Sequence, residues 1–177
     1  MRLGFIGLGN MGSEMARHLR AAGHTLVALA RSERSRTHVS RLGLSLCTSP
    51  AEVARASEVV FTMVTAGSDV ESLALGPEGL VQGASPGLIH VDMSTISPEV
   101  TCEVADEFAK KKLVMLDSAI SGSPVTLAQG NASVMVGGDK DAFEKVKPVL
   151  LAIGPKVTHI GASGLAVKMK IAVNLLL

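Results

Sequence analysis

The 177-residue chain is poor in aromatic side chains, with four phenylalanines, no tryptophan and no tyrosine. Its hydrophobic fraction is nevertheless 47%, so the core must be built from Val, Leu, Ile, Ala and Met. Strands rich in aliphatic and β-branched residues suit a parallel sheet that is covered on both faces. The length suffices for one good core, so we expect one α/β domain with little beyond it.

The chain also lacks an excess of charge of either sign, since 17 basic and 16 acidic residues leave a formal net charge of +1. This balance gives no broad attraction to nucleic acid or to an anionic membrane. No apolar run reaches the roughly 18 residues of a membrane-spanning helix. The first predicted strand begins within the first three residues, so we expect no room for a targeting peptide. We therefore expect a cytoplasmic protein that binds a small molecule, with neither a nucleic-acid nor a membrane partner.

Metal-binding patterns are missing as well. Cys47 and Cys102 form no C-x-x-C pair and no Cys/His cluster, so we expect reduced, structural thiols. His24, His90 and His159 do not have the spacing of metal ligands. The sequence therefore predicts no metal site.

The most informative segment that is present is Gly7-Leu8-Gly9-Asn10-Met11-Gly12, a G-x-G-x-x-G pattern. A predicted strand, Leu3–Ile6, precedes it, a predicted helix, Met11–Ala22, follows, and a second strand is predicted at Thr25–Ala30. This order makes the pattern a dinucleotide-binding fingerprint. Gly7 would form the tight turn, Gly9 would let the backbone approach a pyrophosphate, and Gly12 would let the helix pack on the strand. The alternative is a tight turn that binds nothing.

Strand and helix patterns alternate along the rest of the chain. This alternation predicts βαβ units and therefore a Rossmann-type, doubly wound, mostly parallel sheet over residues 1–160. Further strands are predicted at Val59–Val64, Leu88–Met93, Val114–Asp117, Ser133–Val136 and Val157–Ile160, and helices at 31–42, 98–112 and 141–151. From Gly164 onward the pattern is apolar and helical without a stop signal.

The end of the second strand bears on the choice of dinucleotide. NAD sites place an acid there for the ribose 2′-hydroxyl, whereas NADP sites place arginine there for the 2′-phosphate. The chain has no acid at that tip, and Arg31, Ser32 and Arg34 follow it, so we favour NADP, with NAD as the alternative. Glu33 would become the ribose ligand if the strand ended two residues later. Alternatively, the arginines are ordinary surface residues.

These segments resemble the 3-hydroxyisobutyrate dehydrogenase family of β-hydroxyacid dehydrogenases, which includes glyoxylate/succinic semialdehyde and tartronate semialdehyde reductases. The similarity covers the whole chain. It is carried by four ordered elements: Phe5–Gly12 with Met15; Asp92-Met93-Ser94-Thr95 with Pro98; Asp117–Ser123 with Ala128, Gly130 and Met135–Gly138; and Gly164 with Lys170 and Asn174. The departures at Ile120, Ser123 and Ala166 bear on the substrate rather than on the reaction class. At the end of the second strand, Ala30-Arg31-Ser32 stands where many members have Asn-Arg-Thr, so the arginine and a hydroxyl are kept and the amide is lost.

The resemblance implies an NADP-dependent oxidoreductase that acts on a small 3-hydroxy acid or semialdehyde. It implies that Lys170 and Asn174, with Ser121, are catalytic, and that Ser121, Gly122 and Ser123 bind the substrate carboxylate. Lys170 and Asn174, four residues apart, share a helix face, whereas Lys168 points to nearly the opposite side. The alternative is that both lysines lie along a packed helix with their charges in water.

The resemblance also implies a second, all-helical domain that this chain lacks. It assigns residues 161–177 to the start of an interdomain helix and predicts a homo-oligomer in the full-length protein. We further expect cofactor contacts at the carboxyl ends of two strands, where ligands bind in open α/β sheets. Those residues are Met63, Val64, Thr65, Ser94 and Thr95, although Ser94 or Thr95 could instead cap a helix.

Two other functions remain compatible with the sequence. One is a non-catalytic dinucleotide-binding module, against which the presence of Lys170, Asn174 and Ser121 argues. The other is an imine or pyrroline reductase, which we do not expect to have this lysine helix.

Overall fold

A computed structural model describes residues 1–176, and within this range the strands form one eight-stranded sheet. The spatial order is β3-β2-β1-β4-β5-β6-β7-β8, in which β7 runs antiparallel to β6 and all other neighbours are parallel. The strands are β1 (Arg2–Ile6), β2 (Thr25–Leu29), β3 (Ser45–Cys47), β4 (Val59–Thr62), β5 (Ile89–Asp92), β6 (Val114–Ser121), β7 (Ser133–Gly137) and β8 (Lys156–Gly161).

Helices cover both faces of the sheet. They are α1 (Asn10–Ala21), α2 (Glu33–Arg41), α3 (Pro50–Ala56), α4 (Gly67–Leu75), α5 (Leu80–Gly83), α6 (Pro98–Lys110), α7 (Pro124–Ala128), α8 (Lys140–Leu150) and α9 (Leu165–Leu176). Strands β2 and β3 lie on one side of β1, and β4 to β8 lie on the other side, so the strand order reverses between β1 and β4. This confirms the doubly wound, mostly parallel α/β fold, and it places the ligand-binding crevice at the carboxyl ends of β1 and β4.

The core consists of two layers, one on each face. One contains Met15 and Leu19 of α1 with Phe5 of β1, and the other contains Val104 and Phe108 of α6 with Val60 of β4. Residues three or four apart on each helix supply these contacts, as expected for a helix with one buried face. Among the described residues, no helix combines the length and the apolar character needed to cross a bilayer.

Local sequence signals define the N-terminus of α6. Ser97 accepts hydrogen bonds from the N–H groups of Glu99 and Val100, and Pro98 occupies the first helical position. Proline fits there because an N–H group at the first helical position has no acceptor within the helix, so its absence costs no hydrogen bond. Glu99 places an acid near the positive end of the helix dipole.

The structure corrects several predicted elements. β3 is an additional strand of only three residues, which is too short to show a strand period. Helices α3, α4, α5 and α7 are also additional: three of them have seven residues or fewer, and α4 begins at a glycine without a side-chain cap. β6 continues to Ser121 instead of ending at Asp117, since it pairs with β7 over residues 117–121. Cys47 is buried and Cys102 half-buried, both as free thiols.

Candidate cofactor-binding and active site

The glycine-rich turn joins β1 to α1 at the crevice. Gly7 has a φ of +99°, and a Cβ there would lie 2.0 Å from the carbonyl oxygen of Met63. A Cβ on Gly12 would lie 2.0 Å from the carbonyl oxygen of Gly7. By contrast, no described atom lies within 4 Å of a Cβ built on Gly9. Gly7 and Gly12 are therefore required by packing, whereas Gly9 leaves open space for a ligand.

This open space meets the beginning of α1. Gly9 is the N-cap residue, and no side chain among the described residues caps this helix end. The first turn of α1 also contains no acidic residue. An uncapped N-terminus with exposed N–H groups attracts an anion such as a pyrophosphate.

A cavity of about 390 Å³ extends from this turn to the start of α2. Its wall includes most of the residues that the sequence predicts to bind a cofactor: Gly7, Leu8, Gly9, Arg31, Ser32, Arg34, Met63, Val64 and Thr65. Asn10, Met11 and Gly12 belong to α1, behind the turn. Sequence reasoning missed Ile6, Leu29, Ser35, Asp69 and Leu73 of the same wall. Two of them, Ile6 and Leu29, are the last residues of β1 and β2, so the ends of these apolar runs are the signal that could have found them.

The chain after β2 forms the arginine-rich end of the cavity. β2 ends at Leu29, so the alternative in which a longer strand makes Glu33 its terminal acid is wrong. Glu33 is instead the first residue of α2, whose N-cap is Ser32. The Ser32 hydroxyl accepts a hydrogen bond from the Ser35 N–H at 3.1 Å. Its capping role orders the loop next to Arg31.

The two predicted arginines differ in their contacts. Arg34 Nη2 donates a hydrogen bond to Asn10 Oδ1 at 2.5 Å, which links α2 to the glycine-rich turn. Arg31 is exposed and lines the cavity, and within residues 1–176 it has no carboxylate at ion-pair distance. Within this range no hydrogen bond engages its guanidinium, whereas Arg34 has one of its N–H groups occupied by Asn10.

A buried polar network lies under the nearby ends of β4 and β5. Asp92 Oδ1 accepts hydrogen bonds from the Thr62 hydroxyl at 2.6 Å and from the Ser94 hydroxyl at 2.7 Å. The Ser94 hydroxyl in turn accepts the N–H of Val64 at 3.0 Å. Ser94 is fully buried, whereas Thr95 is exposed. The Ser94 hydroxyl thus points into the protein, where it holds the backbone of the cavity-lining Val64.

Burial dominates the protonation equilibria in this network. Burial raises the pKa of Asp92, against the hydrogen bonds from Thr62 and Ser94, which lower it. Burial lowers the pKa of His90 to about 3, so this imidazole is neutral near pH 7. Because Thr62 donates its proton to Asp92, the 2.9 Å contact between Thr62 Oγ1 and His90 Nε2 requires an Nε2–H tautomer. Asp92 and Asp117 pair across β5 and β6, and both are fully buried.

The predicted substrate segment follows β6. Ser121 is the last, half-buried residue of that strand, and Gly122 has a φ of +147°. The Ser123 hydroxyl caps α7 by accepting the Thr126 N–H at 3.1 Å. This contact uses only a lone pair of the hydroxyl, so its O–H can still donate, either to the Thr126 hydroxyl at 3.0 Å or to a carboxylate.

Helix α9 places the two lysines on different sides, as the spacing predicts. Ala166 and Val167 are fully buried against the sheet, and Lys170, one turn further, is half-buried on the same side. Lys168 is exposed. The pKa of Glu99 is lowered mainly by the hydrogen bond from the Ser97 side chain, and the nearby charge of Lys168 lowers it further. Asn174 is exposed. Among residues 1–176 no group of His, Cys, Asp and Glu side chains could hold a metal ion.

Comparison with known proteins assigns the fold to a family. The family described as the NAD binding domain of 6-phosphogluconate dehydrogenase matches residues 2–161. A 2-(hydroxymethyl)glutarate dehydrogenase of Eubacterium barkeri is 36% identical over 177 residues, which cover 100% of this chain and 59% of that protein. The chain belongs to the β-hydroxyacid dehydrogenase family. The 2-hydroxy-3-oxopropionate reductase of Escherichia coli is 37% identical, over 97% of this chain and 59% of that protein.

Solved structures of this family agree with the assignment. The 3-hydroxyisobutyrate dehydrogenase of Mycobacterium tuberculosis, solved with L-serine, matches with a TM-score of 0.92 and 28% identity, over 99% of this chain and 59% of that one. Psf3 in complex with NADP+ and 2-OPP matches with a TM-score of 0.93 and 29% identity, over 98% of this chain and 61% of that one. The chain thus spans about three fifths of the length of these relatives and corresponds to their NAD(P)-binding domain.

Proposed function

We propose that this chain is the NADP-binding domain of an oxidoreductase that transfers hydride between the nicotinamide and a small 3-hydroxy acid or semialdehyde. The observation that carries the choice of NADP is Arg31. It lines the cavity, it has no ion-pair partner among residues 1–176, and the strand before it ends without an acid. A 2′-phosphate suits a guanidinium because the two form charge-assisted, bidentate hydrogen bonds.

The described residues fit the rest of the dinucleotide. Open space beside Gly9 and the uncapped end of α1 would hold the pyrophosphate, and Ser32 would hold the loop that presents Arg31. Val64 and Thr65 would border the part of the cavity nearer to β5. When bound, NADPH supplies the hydride, which no protein side chain can provide.

Residues of this chain would then handle the proton and the carboxylate. Lys170 would give a proton to the substrate oxygen in reduction and accept it in oxidation. Ser121 and the N–H groups of Gly122 and Ser123 would anchor the substrate carboxylate, with Asn174 on the helix face of Lys170. The similarity to a 2-(hydroxymethyl)glutarate dehydrogenase and to a 2-hydroxy-3-oxopropionate reductase supports this substrate class.

The domain assignment is part of this proposal. Residues 161–177 would lead into a further, all-helical domain in a longer chain, which would complete the substrate pocket and form a homo-oligomer. Two facts support it: the relatives are longer, and α9 exposes the apolar side chains of Met169, Ile171, Leu175 and Leu176.

Calorimetric titration of the chain with NADPH and NADH tests the proposal. We expect NADPH to bind at least about tenfold more tightly, which corresponds to roughly 1.4 kcal/mol. Equal affinities, or tighter binding of NADH, would contradict the assignment of NADP. The non-catalytic module predicts the same binding, so turnover of short semialdehydes by a chain with the helical domain separates the two functions.

A further inference from the structure

The strand that ends at the substrate segment and the helix that carries Lys170 are joined by one buried carboxylate. Asp117 Oδ1 accepts the N–H of Gly164 at 2.9 Å, and Asp117 Oδ2 accepts the N–H of Val167 at 3.0 Å. Asp117 is fully buried. Both of its oxygens therefore serve the N-terminus of α9, where a negative charge is also favoured by the helix dipole.

The surroundings of Asp117 are built to let it reach that helix. β7 passes directly beside it at Gly137, where a Cβ would lie 2.5 Å from Asp117 Oδ1 and 2.9 Å from the carbonyl oxygen of Ala162. The chain then turns into α9 at Gly164, with a φ of +85° and 3.1 Å between a Cβ built there and Cys102 Sγ. Any larger residue at these two glycines would displace the carboxylate or the helix start.

Asp117 lies on the strand that ends at Ser121 and contacts the helix that carries Lys170. Ser121 lies four residues further along β6, and Lys170 lies one turn beyond Val167 on the buried side of α9. A change at Asp117 would move the start of α9 relative to β6. Because Lys170 follows that start by one turn, its side chain would move relative to Ser121.

We propose that Asp117 is a positioning residue that sets the register of α9 on β6 and thereby holds Lys170 beside the substrate segment. The part of this inference that concerns turnover rests on the proposed function, and the part that concerns α9 does not. Asp117 acts through backbone N–H groups and needs no contact with substrate or cofactor.

Asp117→Asn tests the contact, because an amide of the same shape turns an NH₂ group toward one of the two N–H donors. We expect hydrogen exchange at the amides of Gly164 and Val167 to become about fivefold faster or more, the factor expected for loss of a typical helix cap. Asp139→Asn is the matched control, since Asp139 caps α8 through the Ala142 N–H at 2.8 Å. It should leave Gly164 and Val167 unchanged.

Lysine labelling reports the position of Lys170 directly. With limiting acetic anhydride, the exposed Lys168 is an internal reference for the half-buried Lys170. We expect Asp117→Asn to raise the ratio of Lys170 to Lys168 labelling, and Asp139→Asn to leave it unchanged. Unchanged exchange and labelling in Asp117→Asn, or the same changes in Asp139→Asn, would overturn the proposal.

A second variant and a measurement on the wild type test the contact even if Asp117→Asn does not fold. Gly137→Ala leaves Asp117 unchanged but places a methyl group against its Oδ1. It should therefore also speed hydrogen exchange at Gly164 and Val167 and raise the ratio of Lys170 to Lys168 labelling. In the wild type, scalar coupling across the hydrogen bonds should connect the nitrogen atoms of Gly164 and Val167 to the Asp117 carboxyl carbon, and its absence would refute the contact.

Kinetics decide the role of the contact in the reaction. In a chain that reduces semialdehydes, Asp117→Asn should lower kcat with the Kd for NADPH unchanged, and an unchanged kcat would refute the positioning role. If the wild type reduces no semialdehyde, the proposed function fails while the exchange and labelling results still decide the contact.

Discussion

Replacing Arg31 by alanine should reduce the affinity for NADPH and leave the affinity for NADH nearly unchanged. Arg31 is exposed and lines the cavity, so removal of its guanidinium leaves the cavity wall otherwise intact. A hydrogen bond to a charged group contributes about 1.5–3 kcal/mol net, and solvent screening at an exposed site reduces this. We therefore expect a loss of about 1.4–2 kcal/mol, which is roughly 10–30-fold in Kd for NADPH.

The assay is calorimetric titration of wild type and variant with both cofactors at low and high salt. Because the contact is between exposed charges, the difference between wild type and variant should shrink as salt rises. Arg41→Ala, at the far end of α2, removes the same charge without touching the cavity and should have almost no effect. Arg34→Ala should cost less than Arg31→Ala, since Arg34 already donates to Asn10.

One pattern of results would refute this reasoning. If Arg31→Ala weakened NADH and NADPH equally, the guanidinium would contact a part that both cofactors share, such as the adenine ring. The preference for NADP would then have to come from another residue.

Two further predictions concern Lys170 and His90. In a chain that turns over substrate, Lys170→Met should lower kcat by at least about a hundredfold with little change in cofactor affinity, and Lys168→Met should be mild; the opposite order would show that the side of α9 facing the site is misassigned. Because the unfolded His90 takes up a proton near its ordinary pKa of 6.5 and the folded one only at about 3, the free energy of unfolding should fall as pH drops below 6.5. Between pH 6.5 and 5 the loss should be about 1.6 kcal/mol, and urea titrations of His90→Gln that showed the same pH slope would contradict this.

The sequence predicts the backbone of the glycine-rich turn, because glycine positions report backbone sterics directly. The turn at Gly7 and the packing at Gly12 follow from the spacing alone, and the structure shows the close approaches that make glycine necessary. The reading of Arg31 at a strand tip without an acid is also local, since it depends on where one apolar run ends.

Other features could not be predicted, because they depend on contacts between distant segments. The direction of the Ser94 hydroxyl is set by Asp92 and by the N–H of Val64, thirty positions earlier in the chain. Asp117 caps α9 across 47 and 50 positions of sequence. A motif shows that such residues occur together, but the three-dimensional fold decides which atoms they meet.

The irregular pairing at the end of β7 and β8 has a consequence for self-association. Val136 pairs with His159 but Gly137 pairs with Gly161, so Ile160 is an extra residue on β8. β8 is the last strand in the order, and a regular, flat edge strand is a template on which a second chain can pair and aggregate. A bulge twists such an edge and interrupts its hydrogen-bonding pattern. Removing Ile160 would therefore straighten the edge and expose the protein to the strand addition that the present sequence discourages.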